Sequence, residues 1–160
     1  MERYPVGDKS ETIFKGRPIL TGHVEGLALV SHKGFNTYAS FSTSMLTKAK
    51  VAFCSDRSNE YLYGKELTGK ILCIPNTIGS TSSGAVWERI VKLDIAPKAV
   101  LFTHKIDSLA AGGLIVVDVW THKRIITVDQ LGQEFLEFVK NGDRICIETD
   151  GTVKIVRNSH

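Results

Sequence analysis

Three short apolar runs constrain this chain more than anything else in it: Ile71-Leu72-Cys73-Ile74, Ala99-Val100-Leu101-Phe102 and the run that begins at Leu114 and extends to Val119. Each is too short for a long helix and lacks polar alternation, the pattern of a strand covered on both faces. Pro75 closes the first. Between the first and second, Trp87, Ile90 and Val91 recur at i, i+3 and i+4. That spacing predicts a helix over about 85–93, starting near Ser83 or Gly84 and stopped by Ala96-Pro97. Between the second and third, Asp107 can cap one short turn through Leu109-Ala110-Ala111, ended by Gly112-Gly113. Two βα crossovers in succession require a sheet that is at least partly parallel.

The remaining segments read as strands and turns. Residues 1–11 are polar and read as a loose N-terminal segment. Thr12–Arg17 fits a strand, and Ile19–Val24 and Leu27–Ser31 flank a break at Glu25-Gly26 that suits a hairpin or a bulge. Asn36–Ser44 fits a strand or an open loop, Lys48–Phe53 a strand, and Ser55–Leu62 a polar loop or one helical turn. Asp129–Val139 reads as part helix. Asp150-Gly151 between Arg144–Thr149 and Thr152–Val156 is a strong hairpin signal. With no internal repeat or linker, residues 1–160 read as one strand-rich α/β domain with short helices, long enough to bury a core.

Composition removes several function classes. The net charge is only +3 and the basic residues are scattered, so no nucleic-acid partner is expected. No apolar stretch approaches a membrane span and Met1-Glu2-Arg3-Tyr4-Pro5 is not a signal segment, so a soluble, cytoplasmic protein without a membrane partner is expected. Cys54, Cys73 and Cys146 are odd in number and far apart, and no two of the histidines fall at i, i+4 on a plausible helix. Neither a disulfide framework nor a metal ligand set within this chain is expected. Trp87 and Trp120 read as core or interface aromatics.

Chemistry concentrates between Pro75 and the helix that follows. Asn76-Thr77-Ile78-Gly79-Ser80-Thr81-Ser82-Ser83-Gly84 joins a buried strand to a helix N-terminus, where unpaired N–H groups and the helix dipole favour an anion. The alternative is a capped loop whose serines satisfy helix N–H groups and nothing more.

Three segments, in order, resemble the small swivel subunit of the aconitase X family, within the aconitase superfamily. The first runs from Gly16-Arg17-Pro18-Ile19 through Gly22-His23-Val24-Glu25-Gly26 to Ala28-Leu29-Val30. The second comprises Leu67-Thr68-Gly69-Lys70 with its strand, Gly79-Ser80-Thr81 and Ala96-Pro97-Lys98-Ala99-Val100. The third is Asp107-Ser108-Leu109-Ala110-Ala111-Gly112 with Asn141-Gly142-Asp143-Arg144. The resemblance implies a swivelling β/β/α domain that pairs with an aconitase X large subunit and is inactive alone. It implies no cofactor in this chain, with an iron–sulfur cluster or iron in the large subunit. The activity implied is dehydration of a small hydroxy acid, with cis-3-hydroxy-L-proline slightly favoured and 5-phosphomevalonate next. Ser80 takes the position of the family's catalytic base, and Gly79, Thr81, Ser82, Ser83 and Gly84 become substrate-binding candidates.

Two departures accompany the resemblance. Ile78 stands where the family carries a basic residue, and Tyr38-Ala39-Ser40-Phe41-Ser42-Thr43 replaces its aromatic-Gly-Gly-x-Asp segment. A non-catalytic ligand-binding or regulatory swivel module is the alternative these departures suggest. The phosphohistidine swivel domain has a similar loop, but Ser83 stands where its histidine is required, and without an imidazole that carrier chemistry cannot run.

Overall fold

Residues 9–79 and 83–158 are described by a computed structural model. In chain order the strands and helices are β1 (Lys9–Lys15), β2 (Arg17–Leu20), β3 (Val24–Val30), β4 (Phe35–Asn36), α1 (Thr37–Leu46), β5 (Ile71–Ile74), β6 (Thr77–Ile78) and α2 (Ser83–Lys92). There follow β7 (Ala99–Phe102), α3 (Ser108–Thr121), β8 (Ile126–Asp129), α4 (Gln133–Phe138), β9 (Arg144–Ile147) and β10 (Thr152–Asn158).

The expected α/β class and partly parallel sheet are both present. Eight strands form one sheet in the order β1-β10-β9-β3-β5-β7-β8-β2, and β4 pairs with β6 in a separate two-stranded ribbon. The stretch β3-β5-β7-β8 is parallel, while β1, β10, β9 and β2 join antiparallel. β3 joins the two regimes: Val24–Leu27 pair with β9, and Ala28–Val30 pair with β5.

Side chains alternate across each strand, so β5 and β7 feed two cores. Leu72, Ile74, Val100 and Phe102 pack with Phe41, Trp87, Ile90, Leu114 and Val117 from α1, α2 and α3. Ile71, Cys73, Ala99 and Leu101 pack with Phe135 and Leu136 of α4 and with Ile145, Ile147, Val153 and Ile155 of the terminal hairpin. Each such side chain removed from water contributes about 1.5–3 kcal/mol. Trp87 is fully buried, in an aromatic cluster with Phe35 and Phe41, whereas Trp120 is 70% exposed.

Several sequence-based expectations need correction. Lys9–Glu11 are part of β1 rather than loose, because β1 runs along the full length of β10. β3 passes unbroken through Glu25-Gly26; the strand break falls at 21–23 instead. Asn36–Ser44 opens as a helix, α1, whose first turn is capped by the Asn36 carboxamide accepting from the Ala39 N–H at 3.0 Å. Lys48–Phe53 forms no strand; Phe53 makes a single bridge to Glu66.

The largest correction concerns α3. Asp107 caps it as expected, accepting from the Ala110 N–H at 2.8 Å, but Gly112-Gly113 do not end it and Leu114–Val119 is helix rather than strand. The physical reason is a close approach of two helices. A Cβ on Gly113 would stand 2.8 Å from the Gly84 Cα, so the start of α2 rests on bare α3 backbone. Glycine here supplies room, not a turn. The remaining face of α3 leaves Leu109, Ile115, Val116, Val119 and Trp120 exposed.

A buried carboxylate fastens the antiparallel edge strand β2 to its neighbour β8, where Arg17 stands opposite Asp129. Asp129, closing β8, is fully buried and receives Arg17 of β2 through Nε at 2.9 Å and Nη2 at 2.7 Å. Its Oδ2 also accepts the Ile106 N–H at 2.8 Å, which fixes the loop leading to the α3 cap.

Two measurements check this packing. Gly113→Ala should destabilise by about 1–2 kcal/mol, because overpacking of about 1–3 kcal/mol exceeds the gain in helix propensity. Gly112→Ala, with nothing within 4 Å, should instead be neutral or stabilise by up to about 1 kcal/mol in urea unfolding. Equal stabilisation by both would show that the helices do not meet there. Arg17→Met should cost about 3–5 kcal/mol by stranding a buried carboxylate. Asp129→Asn should cost nearer 2 kcal/mol, since the half-exposed Arg17 can rehydrate. The reverse order would refute this account of the pair.

Candidate functional site

Parallel strands deliver their carboxyl ends to one edge, and that edge is where ligands bind in open α/β sheets. Here the described part of the edge is built from 31–36 after β3, 75–79 after β5 and 103–107 after β7. Main-chain bonds draw these loops together: the Phe35 N–H donates to the Asn76 carbonyl at 2.9 Å, and the Thr103 N–H to Ile74 at 3.1 Å. β4 and β6 pair in parallel, Phe35 opposite Thr77 and Asn36 opposite Ile78.

Ser80, Thr81 and Ser82 lie outside the described residues, so the site is defined by what brackets them. On one side stands Gly79, exposed, at φ +107, a backbone conformation that favours glycine. A Cβ there would also meet the Asn36 carboxamide at 2.9 Å. Asn36 is the α1 cap, so Gly79 abuts one helix N-terminus. On the other side Ser83 and Gly84 open α2.

A second helix N-terminus grips the loop from below. The Thr77 hydroxyl donates to Asp107 Oδ2 at 2.6 Å, while Asp107 Oδ1 caps α3. Burial pushes the Asp107 carboxyl up, but the Thr77 hydroxyl and the N–H groups of Ala110 and Leu109 outweigh it and hold it below the usual carboxylate range. At neutral pH it is therefore a carboxylate with both oxygens engaged. The loop that carries residues 80–82 thus starts and ends beside the N-termini of α1, α2 and α3, all of which favour negative charge.

Several other side chains do separate work. Ile78 is 46% exposed, its side chain lying over Gly34, where a Cβ would meet it at 2.6 Å. Arg17 serves Asp129. Asp56 turns back onto the N–H and hydroxyl of Ser58, and Arg57 lies over the Tyr63 ring. Asn36, Thr77 and Asp107 were not among the candidates read from sequence. Only the cap at Asp107 was visible there, and no local signal links it to Thr77.

The cysteines do not suit a shared iron–sulfur group. Cys54 belongs to the helix-side core and Cys73 to the opposite one, and burial pushes both thiols up. Cys146 is half-buried on β9. Its thiol is pushed up to about 11 by burial and by the neighbouring Glu148 carboxylate. Among the described residues, no helix is long and apolar enough to cross a membrane.

Known proteins resemble this chain in sequence and in fold. A family model for the aconitase X swivel domain matches residues 13–155. The phosphomevalonate dehydratase small subunit of Methanocella arvoryzae is 30% identical over 145 residues, 91% of this chain and 98% of its own length. That of Methanocaldococcus jannaschii is 32% identical over 143 residues, 89% of this chain and 96% of its own. The crystal structure of Thermococcus kodakaraensis aconitase X, in its holo-form, superposes with a TM-score of 0.76 at 26% identity, covering 91% of this chain and 99% of that one. By sequence and by fold, this chain belongs to the aconitase X swivel-domain family.

Proposed function

We propose that this chain is the small subunit of a two-subunit hydro-lyase that removes water from 5-phosphomevalonate, with Ser80 as the base. The observation that supports it is the bracketing of the Ser80 loop: Gly79 against the α1 cap, Thr77 bonded to the α3 cap, and α2 starting at Ser83. A substrate with a carboxylate and a phosphate suits an edge where several helix N-termini converge. The preference for cis-3-hydroxy-L-proline drawn from sequence finds no support, because the relatives described above are named for phosphomevalonate.

The chemistry divides between two chains. A base takes the proton α to the carboxylate, a carbon–carbon double bond forms, and the β-hydroxyl leaves as water. Ser80 performs the first step. The neutral hydroxyl is a poor base, and its alkoxide becomes accessible only where preorganised N–H donors stabilise the negative charge, as a loop at a helix N-terminus can. Gly79, Thr81, Ser82, Ser83 and Gly84 hold the anionic groups of the substrate. The Lewis acid for hydroxyl departure would come from iron or an iron–sulfur cluster held by the large subunit. The complex is cytoplasmic and needs neither nucleic acid nor membrane.

Coexpression with the large subunit and a water-loss assay test this reading. Ser80→Ala should lower kcat by about 10²–10⁴-fold while the two chains still copurify. Retention of more than about a tenth of the activity would remove Ser80 from the mechanism. Wild-type complex should prefer 5-phosphomevalonate to cis-3-hydroxy-L-proline; turnover of neither by an iron-loaded complex favours the ligand-binding module instead.

The loop tether has its own test. Thr77→Val frees the loop but leaves the α3 cap, so it should cut kcat several-fold with a stability loss of about 1 kcal/mol or less. Asp107→Ala removes cap and tether together and should cost about 1–2 kcal/mol in addition to activity. Full activity in Thr77→Val would mean the loop is placed without that bond.

A further inference from the structure

His23, Cys146 and Glu148 come together far from the candidate site. One ligating atom from each lies within 4.8 Å of the other two. The antiparallel register creates the cluster. Val24 stands opposite Ile147 and Glu25 opposite Cys146, so His23 falls opposite Glu148. Ile145 and Ile147 point into the core, which turns Cys146 and Glu148 to the other face. His23 Nδ1 lies 3.1 Å from Glu148 Oε2, and Cys146 Sγ lies 3.4 Å from Glu148 Oε1.

We propose that His23, Cys146 and Glu148 form a binding site for a zinc-like divalent cation. A tetrahedral ion with bonds of about 2.3 Å to sulfur and about 2.0–2.1 Å to nitrogen and oxygen separates its ligands by about 3.3–3.6 Å. The two contacts run through different oxygens of the Glu148 carboxylate, at 3.1 and 3.4 Å, and with one ligating atom from each residue within 4.8 Å the three side chains need only a small closing movement to reach that edge length. The donor set, imidazole with thiolate and carboxylate, is the borderline-soft kind that selects zinc over magnesium or calcium. On binding, the Cys146 thiol loses its proton to solvent as the sulfur–metal bond forms. The thiolate and the carboxylate then cancel the double positive charge, and His23 binds through a neutral ring. Glu25, the cross-strand neighbour of Cys146, or a water takes the fourth position. Lys154, flanking Cys146 on β10, is drawn toward Glu11 at 3.8 Å.

The site pins the turn before β3 to the terminal hairpin. β3 has seven residues, so at about 3.3 Å each the cluster sits roughly 20 Å along the strand from its candidate-site end. Its role is that of a structural clamp, and dehydration does not depend on it.

Cobalt serves as the spectroscopic probe. Untagged full-length chain, freed of metal and titrated with cobalt(II), should bind a single equivalent with thiolate-to-cobalt charge-transfer absorption in the near ultraviolet, and zinc should displace it. Cys146→Ser should abolish the absorption, and Cys54→Ser should leave it. His23→Gln and Glu148→Gln should weaken cobalt and zinc binding by at least roughly 10–100-fold, the loss seen when even an outer-shell partner is removed. Zinc should raise the melting temperature of the wild type and not of His23→Gln, an exposed position where misfolding is not at issue. No charge-transfer band in the wild type, a band that survives Cys146→Ser, or unchanged affinity in His23→Gln would each overturn the site. The water-loss activity of the complex should be unaltered in His23→Gln, so failure of the clamp and failure of the hydro-lyase reading are separable.

Discussion

Burial of β5 and β7 on both faces is the constraint from which the architecture follows. Eight consecutive-in-strand residues, Ile71–Ile74 and Ala99–Phe102, have essentially no contact with water on either side of the sheet. A strand in that position needs a layer above and a layer below. The steady order β3-β5-β7-β8, with crossovers of one hand, places α1, α2 and α3 together on one side. The opposite side is left to α4 and to the hairpin, which the chain reaches only at its end. The same regularity brings the loops after β3, β5 and β7 to a common edge. The candidate site is a consequence of the way the core is covered.

Local signals were readable where local chemistry decides the outcome. The buried strands β5 and β7, the helix starting at Ser83 and the Asp-Gly hairpin all announce themselves within a dozen residues. Two helices did not. α1 contains Thr37, Ser40, Ser42, Thr43 and Ser44, poor helix formers that read as loop, and it is held by its Asn36 cap and by burial of Phe41 and Met45. α3 reads as a glycine stop followed by a strand because Ile115, Val116, Val117 and Val119 are β-branched. Its two glycines are in fact interior: Gly113 admits the backbone of α2, which no property of α3 alone could reveal. β3 shows the same error in reverse. Gly26 reads as a break, yet it is a strand residue beneath which the Ile71 side chain packs, a Cβ there meeting it at 3.2 Å.

The site divides along the same line. Gly79 and the hydroxyl-rich loop are visible in sequence because their composition is unusual for a strand-to-helix connection. The groups that hold the loop are not, because Asn36 and Thr77 lie 41 residues apart in number and Asp107 a further 30 from Thr77. The His23, Cys146 and Glu148 cluster is more distant still, its first and last members 125 positions apart. Pattern-based searches look for ligands at helical or turn spacing, and here strand register does the assembling.

A chain of polar contacts connects the scaffold to the loop. Arg17 neutralises Asp129; Asp129 holds the Ile106 N–H; Asp107, the next residue, caps α3 and accepts from Thr77, two residues before Gly79. Apart from the local α3 cap, each of these bonds joins segments at least 23 positions apart, and each acceptor is a carboxylate, whose bonds to N–H and O–H donors are shorter and stronger than those between neutral groups. A loop of glycine and small hydroxyl residues has little packing of its own and much backbone freedom to lose. Its position must therefore be imposed from outside. A buried carboxylate and two helix caps fix the residues that lead into it: Asp129 through the Ile106 N–H, Asp107 through Thr77, and Asn36 beside Gly79.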